Sequence, residues 1–331
     1  MREQMIRRRD LISLVGGAVA WPVAAWAQQP AVPVIGFFSG RSPDDSARYG
    51  AAFRKGLSQS GFAEGQNVTI EYHWLDGHYD RASSLMADLV RRRVTVIAGV
   101  GVPIVLAAKA ATASVPIVFA VADDPVGLGL VASLARPGAN ATGINFLALE
   151  VVAKRLNLLH ELLPKATRIA VLVNPTNATN TDSTLRDASE TARALGIQIH
   201  ALKASTVGEV DAAFATMVRD QADALFVGAD AFLTSRRVQI ALTAARHGIP
   251  TVTADREDVE AGALMSYGPD IEDVYRQVGE YTGRVLKGAK PAEMPVQQTS
   301  KFEFLINLTT ARVIGLDPPT ALLARADEVI E

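Results

Sequence analysis

The chain has 331 residues, with 33 Lys and Arg against 35 Asp and Glu, a formal charge of −2 and no cysteine. The lack of thiols excludes disulfides, thiolate metal sites and a lipid attached to cysteine at an export cleavage site. A near-neutral charge without a basic block excludes the electrostatic footprint of a nucleic-acid or anionic-membrane binder, and the length suits two lobes of roughly 100–150 residues better than one core.

The first element is an address. Arg7-Arg8-Arg9, the apolar run from Leu11 to Ala20, the helix-breaking Trp21-Pro22 and the small-residue site Ala25-Trp26-Ala27 have the layout of a cleavable export signal over residues 1–27. The apolar run is too short to span a bilayer. Arg8-Arg9-Asp10-Leu11-Ile12 resembles a twin-arginine signal, the alternative being an ordinary secretory one. Either route delivers a soluble, unanchored protein to the periplasm.

After the signal, short β-branched runs alternate with amphipathic stretches. Val32 to Phe38, Val68 to Tyr72, Val94 to Ala98 and Pro116 to Ala120 read as strands, and Asp44 to Gln59, Tyr79 to Arg92 and Pro103 to Thr112 as helices. Continuously apolar strands separated by helices predict parallel sheets covered on both faces. The order recurs in the second half at Arg168 to Val173, Ile197 to Leu202, Ala224 to Val227 and Ile249-Pro250, a repeat of a whole lobe. The tail reads as a strand over Ala263 to Ser266, a helix over Ile271 to Lys287 and a strand over Val296 to Asn307. The expected fold is α/β: two doubly wound lobes, 31–143 plus 267–290 and 144–266 plus 296–331, joined by a three-crossover hinge.

Spaced signatures then become specific. Asp124-Pro125-Val126, Gly129-Leu130-Val131, Arg136-Pro137-Gly138, Asn140-Ala141-Thr142-Gly143, Ser266-Tyr267-Gly268, Leu286-Lys287-Gly288 with Lys290-Pro291, and Ile306-Asn307-Leu308 resemble the TrpX-like family of ABC-transporter substrate-binding proteins. The resemblance implies a type I periplasmic-binding fold and delivery of solute to an ABC permease in the inner membrane. It also implies a preference for aromatic or other apolar amino acids. In Gly99-Val100-Gly101-Val102 this chain offers only backbone donors where the family carries a small hydroxyl residue.

In parallel sheets ligands bind beyond the carboxyl ends of the strands. Ser39, Gly40 and the backbone of Gly99, Val100 and Gly101 are candidates for a carboxylate, and Asp123 or Asp230 for an ammonium. Tyr267 is a candidate wall for an apolar side chain, while Asn145 and Asn174 are candidate cleft contacts. Asp123, Asp124, Asp230, Asn145 and Asn174 also suit caps or turns. Asp255, Glu257, Asp258 and Glu260 read as a solvated helix face, and Trp74 as a residue packed near a lobe surface. The five histidines show no metal-ligand spacing, and no dinucleotide fingerprint, nucleophile elbow or Walker loop is present. A monomeric binding protein without cofactor, metal or catalysis is expected; a receptor coupled to a membrane signalling protein is the alternative.

Overall fold

The β-branched runs form the strands and the stretches between them the helices. The computed structural model describes residues 32–146 and 148–331, so the expected signal at 1–27 lies outside the described residues. Strands β1 (Val34–Ser39), β2 (Thr69–Trp74), β3 (Val96–Val100), β4 (Ile117–Val121) and β5 (Ala141–Asn145) form a sheet of order β5-β4-β3-β1-β2. Strands β6 (Arg168–Val173), β7 (Gln198–Lys203), β8 (Ala224–Val227), β9 (Thr251–Thr253) and β10 (Met265–Pro269) repeat that order as β10-β9-β8-β6-β7. The tail then adds β11 (Gln297–Gln298) to the edge of the first sheet, and β12 (Phe302–Asn307) and β13 (Glu328–Ile330) to the edge of the second.

Pairing is parallel except between β10 and β12. Such sheets need apolar cover on both faces. In the first lobe α1 (Ala47–Gln59) and α10 (Ile271–Leu286) bury Phe37, Phe53 and Val278 on one face, and α2 (Ala82–Arg91) and α3 (Val102–Ala111) bury Phe38, Met86 and Ile104 on the other. The second lobe is covered by α4 (Ala148–Leu162) and α5 (Ala178–Leu195) on one face. On the other lie α6 (Val207–Arg219), the short α7 (Ala231–Ser235) and α8 (Arg237–Arg246). Helix α9 (Arg256–Glu260) follows β9. Local signals fix the ends: Gly196 ends α5 in the left-handed conformation, and the Thr206 side chain accepts from the Glu209 N–H to cap α6.

The chain changes sheets between β5 and α4, between β10 and α10, and between β11 and β12. These positions differ from the expected boundaries. Ile144 and Asn145 still pair with Ala120 and Val121 in the first sheet, and Tyr267 to Pro269 complete β10 in the second. The single strand expected over Val296 to Asn307 is two, because Gln297 pairs with Ile144 whereas Phe302 pairs with Pro269. One straight strand cannot serve both sheets, so the ladder breaks at 299–301.

Helix α10 returns to the first lobe and lies against α1 with their backbones nearly touching. A Cβ at Gly56 would sit 1.8 Å from the Arg276 carbonyl oxygen, and one at Gly279 2.0 Å from that of Phe53. Glycine is required there for close approach. Gly279→Ala should therefore cost about 3 kcal/mol of stability through overpacking against backbone, read as a lower midpoint in chemical denaturation. A cost near zero would show that the two helices slide apart freely.

Candidate functional site

Both sets of strands deliver their carboxyl ends to the gap between the lobes, where parallel sheets place their ligands. Ser39, Gly40, Val100 and Gly101 from the first lobe meet Asn177, Asn180 and Asp230 from the second around a cavity of about 110 Å³. Tyr79, Tyr275, Phe146, Val102 and Ile271 supply its apolar and aromatic walls. Gly101 stands at φ 110, open essentially to glycine alone, and starts α3 with no side-chain cap. The N–H groups of Val102 and Ile104, on either side of Pro103 which has none, thus stay without a side-chain cap at the start of α3. Helix α5 also begins at the cavity without a side-chain cap, at Asn177.

Asp230 is both cap and cleft residue. Its Oδ1 accepts from the Phe232 N–H at 2.9 Å and from Asn174 Nδ2 at 2.9 Å, and its Oδ2 from Asn177 Nδ2 at 3.0 Å and the Tyr79 hydroxyl at 3.2 Å. Ser39 Oγ lies 2.8 Å from the Tyr275 hydroxyl.

The other sequence candidates lie off the cavity. A Cβ on Gly99 would meet Ile104, so this glycine serves packing against α3. Asp123 Oδ1 accepts from Ser183 Oγ at 2.9 Å, a bond between lobes, and Asn145 Nδ2 donates to the Asp123 carbonyl at 2.7 Å. Asn174 Oδ1 accepts from the Thr176 N–H and hydroxyl, which makes it a turn former. Tyr267 stacks on Phe302 at 5.9 Å in the second-lobe core, because strand alternation puts it on the face of Met265. Asp124 caps a turn at Val126 and Gly127, with no helix following. Trp74 stacks on Tyr72 at 5.9 Å.

The acidic run is the larger correction. Asp255, Glu257 and Asp258 are buried rather than solvated, because Arg41 of the first lobe is buried against them. Its Nη2 donates to Asp255 Oδ2 at 2.7 Å, its Nη1 donates to Glu257, and its guanidinium lies 4.5 Å from the Tyr49 ring centre. Arg48 donates to the second Glu257 oxygen at 3.0 Å. Burial disfavours the charge on Arg41, but Tyr49, Asp255 and Glu257 together outweigh it and raise the guanidinium pKa above its ordinary value. Burial, followed by the like charges of Asp255 and Glu257, pushes the Asp258 carboxyl well above its usual range. Behind them Arg155 is fully buried, its pKa lowered by burial to about 10, with its guanidinium 4.6 Å from the Phe226 ring centre.

Arg41, Tyr79, Asn177, Asp255 and Tyr275 were not among the sequence candidates. A signal existed for two of them: Arg41 follows the end of β1 and Asp255 the end of β9, opposite charges just beyond strand ends of the two lobes. The contacts of Arg41, Arg48, Tyr79 and Ser183 across the gap make this a closed arrangement. A larger hollow of about 380 Å³ lies between α1, α10 and β12. Its walls include Arg48, Arg276, Arg256, Asp273 and Glu303, already joined to acidic or basic partners.

A family model, ABC transporter substrate binding protein, matches residues 31–330. The chain belongs to this family. It is the solute-binding component of an ABC transporter, and its fold is that of type I periplasmic binding proteins. A tyrosine-binding protein of Clostridioides difficile (strain R20291) is 28% identical over 84% of this chain and 79% of its own length. A conserved domain protein from Vibrio cholerae has 28% identity and a TM-score of 0.82, covering 90% of this chain and 99% of that one. An ABC domain from Streptococcus pneumonia in complex with L-Trp scores 0.80 at 24% identity, with the same coverage. The ligand-free, open structure of a Clostridium difficile substrate-binding protein with adhesive properties scores 0.64 at 26% identity, covering 91% and 99%. Among the described residues no cluster of metal-ligating side chains occurs, and no helix is long and apolar enough to cross a membrane.

Two outcomes follow from the ion cluster. Arg41→Ala leaves Asp255 and Glu257 buried without their main partner, a penalty the molecule escapes by opening and rehydrating them. The ligand-free variant should show a larger radius of gyration than wild type in small-angle scattering, and an identical curve would mean that the remaining contacts suffice. For Asp258, the folded state binds its proton more tightly than the unfolded chain does. Its contribution is therefore greatest below the ordinary carboxylate range and is lost as pH rises through the raised value. Asp258→Asn, which mimics the protonated form, should flatten the fall in melting temperature as pH rises above the ordinary carboxylate range.

Proposed function

We propose that this protein works as a monomer in the periplasm, having been exported by the segment at 1–27 with its Arg8-Arg9 pair. There it captures an α-amino acid with an aromatic or other apolar side chain and presents it to an inner-membrane permease. The observation that carries this reading is the cavity itself. An uncapped helix start at Gly101 offers N–H groups to a carboxylate, while Tyr79, Phe146 and Tyr275 give flat walls to an apolar side chain. The tyrosine-binding relative and the L-Trp complex support the same ligand class.

The mechanism is closure. Strand ends from both lobes line the cavity, so a ligand touching both favours the closed state by its differential contacts. The closed shape is then the one a permease reads.

L-Tyrosine, L-tryptophan or L-leucine should raise the melting temperature, since a ligand at about a hundredfold its Kd adds about 2.7 kcal/mol to stability. D-Glucose and adenosine serve as controls. Stabilisation by a control and by none of the amino acids would overturn the amino-acid reading while leaving the solute-binding role in place.

A further inference from the structure

The cavity holds one polar atom whose situation is unexplained by the fold. Asn177 is 8% exposed and lines the cavity, yet its Oδ1 is buried without a hydrogen-bond partner. A buried acceptor left unpaired is costly, so its persistence calls for a missing donor. At the first position before a helix an Asn carbonyl would ordinarily cap the N–H groups behind it, but here no side-chain cap bond forms.

The reason is Asp230. A carboxylate only accepts, and Asp230 Oδ2 lies 3.0 Å from the Asn177 amide nitrogen. That contact fixes the amide with its NH2 toward Asp230 and its oxygen away. Asp230 cannot itself readily take a further donor, because its two oxygens already serve Phe232, Asn174, Asn177 and Tyr79. Around the same cavity, Arg41 is committed to Asp255 and Glu257, and the Ser39 hydroxyl to Tyr275.

We propose that the Asn177 side-chain carbonyl is the specificity-determining acceptor for the ligand's ammonium group, and that Asp230 is the positioning residue that holds it in that orientation. The assignment rests on the amino-acid reading above and adds to it that the ligand must bring an N–H donor. The negative charge of Asp230, one amide away, favours a cationic donor over a neutral one. The carboxylate of the ligand falls to the N–H groups of α3 on the facing lobe, so that each end of the zwitterion engages a different lobe.

The test compares each amino acid with its counterpart lacking the amine: L-tyrosine with 3-(4-hydroxyphenyl)propionate, and L-leucine with 4-methylpentanoate, by calorimetry on the mature protein. Wild type should favour the amino acid. Asn177→Ala should weaken amino-acid binding about tenfold or more and leave binding of the amine-free acid within twofold, a pattern that a general loss of structure would not give. Asn177→Ser, which retains a good helix cap, should give the same pattern and stands in if the alanine variant fails to fold. Equal loss for both members of a pair, or no loss for either, overturns the Asn177 assignment while the amino-acid reading survives. Wild type that binds the amine-free acids as tightly as the amino acids likewise overturns it. Failure of wild type to bind any of these amino acids overturns that reading and this assignment together.

Discussion

A guanidinium enclosed between two lobes sets the terms for the rest of this molecule. Arg41 is buried only while Asp255 and Glu257 are brought to it, and those carboxylates belong to the other lobe. Taking such charges out of water costs several kcal/mol each, and their mutual attraction roughly repays it. The closed state therefore rests on a small difference between large terms. A modest ligand contribution is enough to decide it, which is the condition for occupancy to control shape.

The architecture explains how the opposed charges come to face each other. Both lobes wind their strands in the same order, so their strand ends form two similar surfaces turned toward one gap. The residues that follow the strands differ from loop to loop. The loop after β1 supplies a cation, the loop after β9 an anion, and the loops after β6 and β8 supply Asn177 and Asp230. The apolar walls come from both lobes as well, with Phe146 at one crossing and Ile271 at the start of α10 at another. Residues at the crossings thus border the cavity, although Tyr267, two residues before the end of β10, is claimed by the core.

The alternation of strands and helices was legible because β4, Ile-Val-Phe-Ala-Val, is buried at every position and carries the β-branched, apolar composition that such burial demands. The repeat and the gap at the strand ends were legible for the same reason. The acidic run was not. Asp255 to Glu260 has the local appearance of a solvated helix, as Glu260 remains, but Asp255 and Glu257 are buried by an arginine that lies 214 residues from Asp255 in the chain. Tyr267 departs from its expected place because β10 runs on to Pro269; while the strand continues, alternation, and not proximity to the hinge, decides where a side chain points. One overlooked signal lay in α5. Its buried positions include Asn180, Thr181, Ser183 and Thr184, polar where a core-facing helix would be apolar, as suits a helix that borders a gap between lobes.

The glycine-lined approach of α1 to α10 bears on how the chain is assembled. Ser60 and Glu280, 220 residues apart, are hydrogen-bonded across it. The first lobe therefore lacks one helix of its covering layer until β6 to β10 of the second lobe have been synthesised. A nascent chain that has completed β5 still exposes the apolar face of Phe37 and Phe53 that α10 will cover. Such long-range closure is slow, and the partly covered sheet is prone to aggregation in the interval. The second lobe carries no comparable debt over β6 to β10, whose strands and covering helices follow one another along the chain. The amino-terminal half of this protein is thus completed only after β6 to β10 of the other lobe have been made, and a chain cut after β10 would lose a layer of the lobe it had already begun.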